Sequence, residues 1–301
     1  MVFDMRASRR IGRDNVAYLY MLPWLIGILV FTLYPFIISL YYSLTDFNPL
    51  KSEIAFVGLN NYIRLFTRDS EFKTSLKATL LYTLYTVPAK LIMSLFIAML
   101  LNKARKGIGV LRTLYYLPSL FGGSVAVATL WTVMFNDAGI INGWLAIFKI
   151  APISFLTTPD KALPTLSLLE VWQFGSSMVM FLAALKQVPY SLYEAARIDG
   201  AGSVRSFFRI TLPGISPIIF FCIIMQSINA IQNFTSAAVI TKGGPLKSTY
   251  MLGYKLYIDG FTLWKMGYAS ATSWVIFGIV MLFTLLLFST QKFWVYYADE
   301  S

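Results

Sequence analysis

The fold class the sequence predicts is all-α integral membrane: six transmembrane helices with a short cytoplasmic helical segment between the fourth and the fifth. Two observations carry that expectation. Of 301 residues, 57% are hydrophobic and only 13% charged, about half the charged share of an ordinary soluble domain. The mean hydropathy is +0.65, and the scarce charges are not spread evenly. Residues 15–45, 113–136, 210–241 and 266–291 contain no Asp, Glu, Lys or Arg at all, and each run exceeds the roughly 20 apolar residues that cross a hydrocarbon core.

Taken in order, the first helix is expected near 18–43. Its apolar stretch is too long for a cleavable signal core, and Pro23 and Pro35 interrupt it. The second, near 76–101, is broken only by Lys77 and Lys90 and contains Pro88; the third, near 114–135, contains Pro118. Prolines are tolerated inside membrane helices. The fourth, near 165–185, carries the single charge Glu170, and the fifth and sixth fall near 214–240 and 268–290. The spans are distributed along the whole chain, so residues 1–301 read as one membrane domain.

Arg6, Arg9, Arg10 and Arg13 precede the first span and place the tail 1–17 in the cytoplasm. Six crossings return the C-terminus to the same side. Arginine supports this orientation: of eleven, only Arg64 and Arg68 fall in outer loops.

Several chemistries are disfavoured. Histidine is absent, which removes the commonest general base and metal ligand. Cys222 is the only cysteine, so no metal site, catalytic centre or intrachain disulfide is expected. The net charge of +11 forms no basic stripe with aromatic interleaving, so no nucleic-acid partner is expected. There is no G-x-x-x-x-G-K-[ST] phosphate loop.

The segment VPYSLYEAARIDGAGSVRSFFRITLPGISP, residues 188–217, differs from the spans. Ser191 and Glu194 have the spacing of a capping box, which predicts a short helix near 192–199 stopped at Gly200. A second helix is expected from Ser203 to Leu212, stopped by Pro213. On residues alone, Glu194 has two readings: a cap for its own helix, or a carboxylate offered to a partner beside the small Ala195 and Ala196.

Here the chain resembles a known family. Glu194-Ala195-Ala196, Asp199-Gly200-Ala201, Phe207, Ile210, Leu212-Pro213 and Pro217 look like the EAA loop of binding-protein-dependent ABC importers. YLYMLPWLIGILVFTLYPFIISLYYSLTDFN (18–48), FVGLNNYIRLF (56–66), LRTLYYLPSLFGGSVAVATLWTVMFND (111–137), the T-K-G-G-P segment at 241–245 and MGYASATSW (266–274) resemble carbohydrate permeases of the maltose and glycerol-3-phosphate class. The outer loop near 45–75 is too short for the folded extracellular domain of the best-known maltose permease.

The resemblance implies a permease subunit of an ABC importer that moves a sugar or oligosaccharide into the cell; a polyol or sugar phosphate is the alternative cargo. It implies a multi-pass plasma-membrane protein with both termini cytoplasmic, surrounded by membrane lipid and paired with a second homologous permease subunit. An extracellular solute-binding protein would deliver the cargo. A cytoplasmic ATPase dimer would hold ATP and magnesium, since this chain is expected to carry no cofactor and to be no enzyme. In the family the EAA loop is a coupling helix docked on the ATPase. Carried over by position, residues 188–213 form that cytoplasmic coupling loop, with Glu194, Ala195, Ala196, Asp199 and Gly200 in contact. An intramembrane enzyme and a self-sufficient secondary transporter are the rival classes. The lack of His and of paired aspartates argues against the first, and the lack of an internal repeat against the second.

For the pathway, Gln226, Asn229 and Asn233 recur at i, i+3, i+7 on the fifth helix, and Glu170, Gln173 and Ser177 do so on the fourth. Amides and carboxylates suit sugar hydroxyls, but amides also hydrogen-bond between membrane helices, so both readings stand for the stripe. Trp172, Tyr82 and Tyr85 are expected at membrane interfaces rather than on a sugar ring. Lys90 and Glu170 are costly in a bilayer. Counted from the expected helix ends they lie roughly 21 Å and 8 Å deep, a gap that predicts no direct pair. Glu170 is then expected in an outer vestibule and Lys90 against a partner helix or the cavity.

Overall fold

A computed structural model describes residues 18, 20–103 and 107–296. The expected tail 1–17 lies outside the described residues. Those residues are helical with no strand among them; one isolated antiparallel bridge joins Thr45 and Phe56. Among the described residues, four helices are long and apolar enough to cross a membrane, or six when each of two bent pairs is taken as one span.

The fold divides into two compact units. Among the described residues, one takes in those up to Ile63 together with Asp259–Trp274, and the other Arg64–Ile258 together with those from Val275 onward.

In the first unit, α1 runs over Tyr20–Ser43. Its apolar side chains, Trp24 and Phe31 among them, point outward. The chain leaves α1 through a polar knot. Asn61 Nδ2 donates to the carbonyls of Ser43 and Thr45 at 2.9 and 2.8 Å, and Tyr62 donates to Ser43 Oγ at 2.8 Å. The first of these bonds satisfies the Ser43 carbonyl, one of those that the end of a helix leaves without an intrahelical partner. Phe36 packs on Trp274 with ring centroids 4.6 Å apart.

The second unit is organised around one helix. After α2 (Asn60–Thr67), α3 covers Ser70–Leu101. Asp69 caps it, accepting from the Phe72 amide at 3.0 Å. The buried positions of α3 include Phe72, Ser75, Thr79, Tyr82, Thr86, Lys90, Ser94, Ile97 and Leu101. They recur every three or four residues, so one stripe faces the protein along the full length. Many are small hydroxyl residues, which let neighbouring helices approach, and Ser75, Thr79 and Ser94 return their hydroxyls to carbonyls four residues back.

Next come α4 (Ile108–Leu120), α5 (Val125–Phe135), α6 (Ile140–Ile147), α7 (Pro159–Trp172) and α8 (Gly175–Gln187). They are followed by α9 (Tyr190–Ile198), α10 (Ser203–Gly214), α11 (Ser216–Ile231) and α12 (Leu252–Tyr257), and by α13 (Met266–Trp294), whose residues from Val275 onward belong to this unit. Helices α7, α8, α11 and α12 all pack on α3, and α4 packs on α8. One apolar cluster gathers Tyr82, Trp131, Leu166 and Met251; a second gathers Ala98, Met178, Phe181 and Ile215.

Several expected boundaries move. The second span begins at Ser70, not near 76, because the capped polar turns before the apolar run are also helical. The third is broken at 121–124, and its apolar stretch continues over Val125–Ile147. The fourth is the pair α7–α8, bent by 49°, and α10–α11 is bent by 67°. The fifth helix stops at Ile231 rather than near 240; a separate π turn follows at Ala237–Thr241. Hydropathy registers apolar length over a long window and passes over short breaks such as Phe121-Gly122-Gly123-Ser124 and Gln232-Asn233.

Candidate functional site: a neutralised polar cavity

The bend between α7 and α8 is built by close packing. A Cβ on Gly175 would sit 2.6 Å from the Tyr115 carbonyl oxygen, so only glycine lets α4 lie this near. Breaking the helix there leaves the Phe174 carbonyl to accept from Ser94 Oγ of α3 at 3.1 Å.

Beside the bend is a cavity of about 440 Å³. Glu170 and Gln173 reach it from α7 and its C-terminal cap, Ser176 from α8, Gln226 and Asn229 from α11, Gln232 and Asn233 from the turn after α11, and Lys90 from α3. The five residues expected on a pathway (Gln226, Asn229, Asn233, Glu170 and Gln173) therefore converge on one space. Ser119, Ser176, Gln232, Phe234 and Thr235 also line it; nothing in the sequence singles them out, although Ser176 and Gln232 each adjoin a residue of the expected stripes. Residues 122–123, the break between α4 and α5, close one side.

One expectation is overturned. Lys90 Nζ donates to Glu170 Oε1 at 2.6 Å, with the lysine side chain 5% exposed and the carboxylate 22%. Depths counted from the helix ends hold only for helices that start in one plane and run straight. Helix α3 has 32 residues, about 48 Å at 1.5 Å per residue, against a core of about 30 Å. Its outer turns therefore extend past the hydrocarbon or the helix tilts, so counting from its end misplaces Lys90. Helix α7, which carries Glu170, packs directly on α3. The opposite signs of the two charges were the available signal.

The stripe on the fifth helix also resolves into distinct environments. Gln226 Nε2 donates to Ser177 Oγ of α8 at 3.0 Å, and Asn233 Nδ2 to the Tyr82 hydroxyl of α3 at 3.2 Å. Asn233 Oδ1 accepts from Ser236 Oγ. Both residues thus bond between elements and line the cavity at once. Asn233 lies beyond the last residue of α11, so the common helical face holds for Gln226 and Asn229 alone. Asn229 is exposed, and its side chain has no hydrogen-bond partner among the described residues. Of the three aromatic residues considered, Tyr82 is fully buried in the core rather than at an interface, while Trp172 and Tyr85 are 41% and 45% exposed.

The segment 188–213 forms two short helices. Gly200 has φ +73°, the left-handed conformation that ends α9 as expected. The capping box does not form. Pro189 occupies the N-cap position with no side-chain cap bond, which puts Ser191 inside the first turn. The Glu194 and Asp199 side chains are exposed and have no hydrogen-bond or ionic partner among the described residues. Ala195 is exposed beside them and Ala196 partly so. The Tyr193 hydroxyl and Thr211 Oγ1 lie 2.8 Å apart and tie α9 to α10.

Comparison with known proteins accords with this architecture. Residues 75–295 match the family described as binding-protein-dependent transport system inner membrane component. The chain is 48% identical to the probable ABC transporter permease protein YesP of Bacillus subtilis (strain 168), over 98% of this chain and 97% of that one. It is 34% identical to the sn-glycerol-3-phosphate transport system permease protein UgpA of Shigella flexneri, over 94% and 97%. In fold it is similar to a chain of a bacterial ABC transporter involved in the import of the acidic polysaccharide alginate. The TM-score is 0.82 at 23% identity, covering 95% of this chain and 98% of that one.

Proposed function

Because the chain belongs to the binding-protein-dependent transport system inner membrane component family, we propose that it is the transmembrane permease subunit of an ABC importer that brings a carbohydrate, a sugar or oligosaccharide, into the cell. It is a multi-pass membrane component of a transport system, not an enzyme, and it works with a solute-binding protein.

The observation that carries the cargo class is the cavity beside the α7–α8 bend. Its one lysine is already neutralised by Glu170 at 2.6 Å, and the polar side chains around that pair are amides and hydroxyls. Amides donate and accept, which matches sugar hydroxyls. UgpA by its name carries sn-glycerol-3-phosphate, but a phosphate group calls for a cation not already paired. Among the described residues lining the cavity, Lys90 is the only one with a positive charge. This favours an uncharged sugar over the sugar-phosphate alternative. Glu170, Gln173, Gln226, Asn229 and Asn233 then form this chain's share of the substrate pathway.

The rest of the importer follows from the same reading. Residues 1–301 act as one permease domain with both termini in the cytoplasm. The segment 188–213 is the coupling loop, in which Glu194, Ala195, Ala196, Asp199 and Gly200 meet an ATPase dimer that holds ATP and magnesium. The unpartnered carboxylates of Glu194 and Asp199, beside small exposed alanines, support that contact. A second, homologous permease subunit completes the pathway, and the outward-facing apolar side chains of α1 leave surface for it and for lipid. Co-expression with a cognate ATPase, second permease and binding protein tests the assignment. The importer reading expects a co-purifying ATPase whose turnover rises with sugar-loaded binding protein. A chain that transports sugar without any ATPase would overturn it.

A further inference from the structure

A second and larger cavity, about 720 Å³, lies at the other functional end of the second unit. It is walled by the last turns of α3 and α8 and by α9 and α10. Three cations line it: Lys103 just past α3, Lys186 in the last turn of α8, and Arg197 on α9. None of them has an ionic partner among the described residues, and no Asp or Glu is among the described residues that line the cavity. Tyr190 and Ser203 add hydroxyls, while Met99 and Val188 give an apolar wall on the side of the spans.

Like charges gathered on one concave wall repel one another and focus a positive field, although all three are exposed here. An anion relieves that repulsion, and phosphate oxygens accept several charge-assisted hydrogen bonds from Lys and Arg together. We propose that this cavity binds the phosphate headgroup of an anionic phospholipid from the inner leaflet and thereby braces α9 and α10 against the inner ends of α3 and α8. The inference rests on the reading that this end of the chain faces the cytoplasm. Free inorganic phosphate offers the same oxygens. The lipid is favoured because Lys103 and Lys186 stand within a turn of the ends of their helices, the level of the headgroups, and because apolar side chains border the cations.

The test uses the complete importer in nanodiscs of phosphatidylcholine alone or with phosphatidylglycerol, read by native mass spectrometry of retained lipid and by ATPase turnover. Phosphatidylglycerol should be retained by the wild type and should raise turnover. Lys103→Gln with Lys186→Gln should weaken retention about 30-fold, as expected for the loss of two cations near a membrane surface, and should remove the difference in turnover between the two membranes. Lys103→Arg with Lys186→Arg should restore both, which separates loss of charge from misfolding. Equal retention by the glutamine variant would overturn the proposal, as would a wild type indifferent to phosphatidylglycerol. If inorganic phosphate in phosphatidylcholine nanodiscs reproduces the rise in turnover, the lipid assignment falls. Lipid retention is read without any transport, so this failure is distinct from a failure of the importer reading, in which no ATPase would co-purify.

Discussion

Lys90 on α3 and Glu170 on α7, 80 residues apart in sequence, meet at 2.6 Å within the membrane-spanning part of the second unit. The pair lies one turn from the α7–α8 bend, where Ser94, one turn further along α3, holds the Phe174 carbonyl. Helix α3 therefore grips the broken helix at two points, one ionic and one neutral. The ionic point also cancels the charge of the polar cavity.

Removing one member of such a pair strands the other. Lys90→Met or Glu170→Met alone should destabilise the protein by about 3–5 kcal/mol. The double variant Lys90→Met with Glu170→Met should recover most of that loss, because no uncompensated charge is left. Thermal unfolding of the purified protein in detergent measures this; single and double variants of equal stability would show that the pair does not form.

The amides beside it should separate by role. Asn229 has no partner to lose, so Asn229→Leu should impair sugar uptake, or alter which sugars pass, while assembly with the second permease stays intact. Gln226→Leu breaks the bond to Ser177 and should lower stability by about 0.6–2 kcal/mol. Uptake assays paired with unfolding curves distinguish the two, and normal uptake by Asn229→Leu would remove this residue from the pathway.

Glu194 makes no cap, so its replacement has little to disturb within the chain. Glu194→Ala should change stability by no more than about 0.5 kcal/mol, as for a surface substitution, yet reduce binding of the ATPase or its stimulated turnover. A variant that loses stability but keeps full turnover would contradict the coupling role.

Orientation is accessible to chemistry. With the buried Cys222 replaced by serine, a cysteine at the exposed position 160 should react with an impermeant thiol reagent added outside intact cells. One at position 203 should not. Labelling of 203 from outside would invert the topology.

Much of this protein was legible in its sequence because a bilayer imposes a one-dimensional rule. A charge inside hydrocarbon is costly wherever the neighbouring helices lie, so charge-free runs mark α1, the α4–α5 stretch, α11 and α13, and runs with only one or two charges mark α3 and the α7–α8 pair, without reference to packing. Local backbone chemistry was legible for the same reason: Gly200 ends α9 because its left-handed φ needs no tertiary contact. The residues that line the cavity could be chosen by polarity and spacing, but what each one does could not. Whether Lys90 finds Glu170 depends on where two helices cross, and Gln226 and Asn229 differ only in that Ser177 stands opposite one and open space opposite the other. Gly122 and Gly123 mark the break at 121–124 in the sequence itself, whereas the break at Phe174 leaves a carbonyl that Ser94, 80 residues away, satisfies. Those partners are set by three-dimensional packing, to which hydropathy and periodicity are blind.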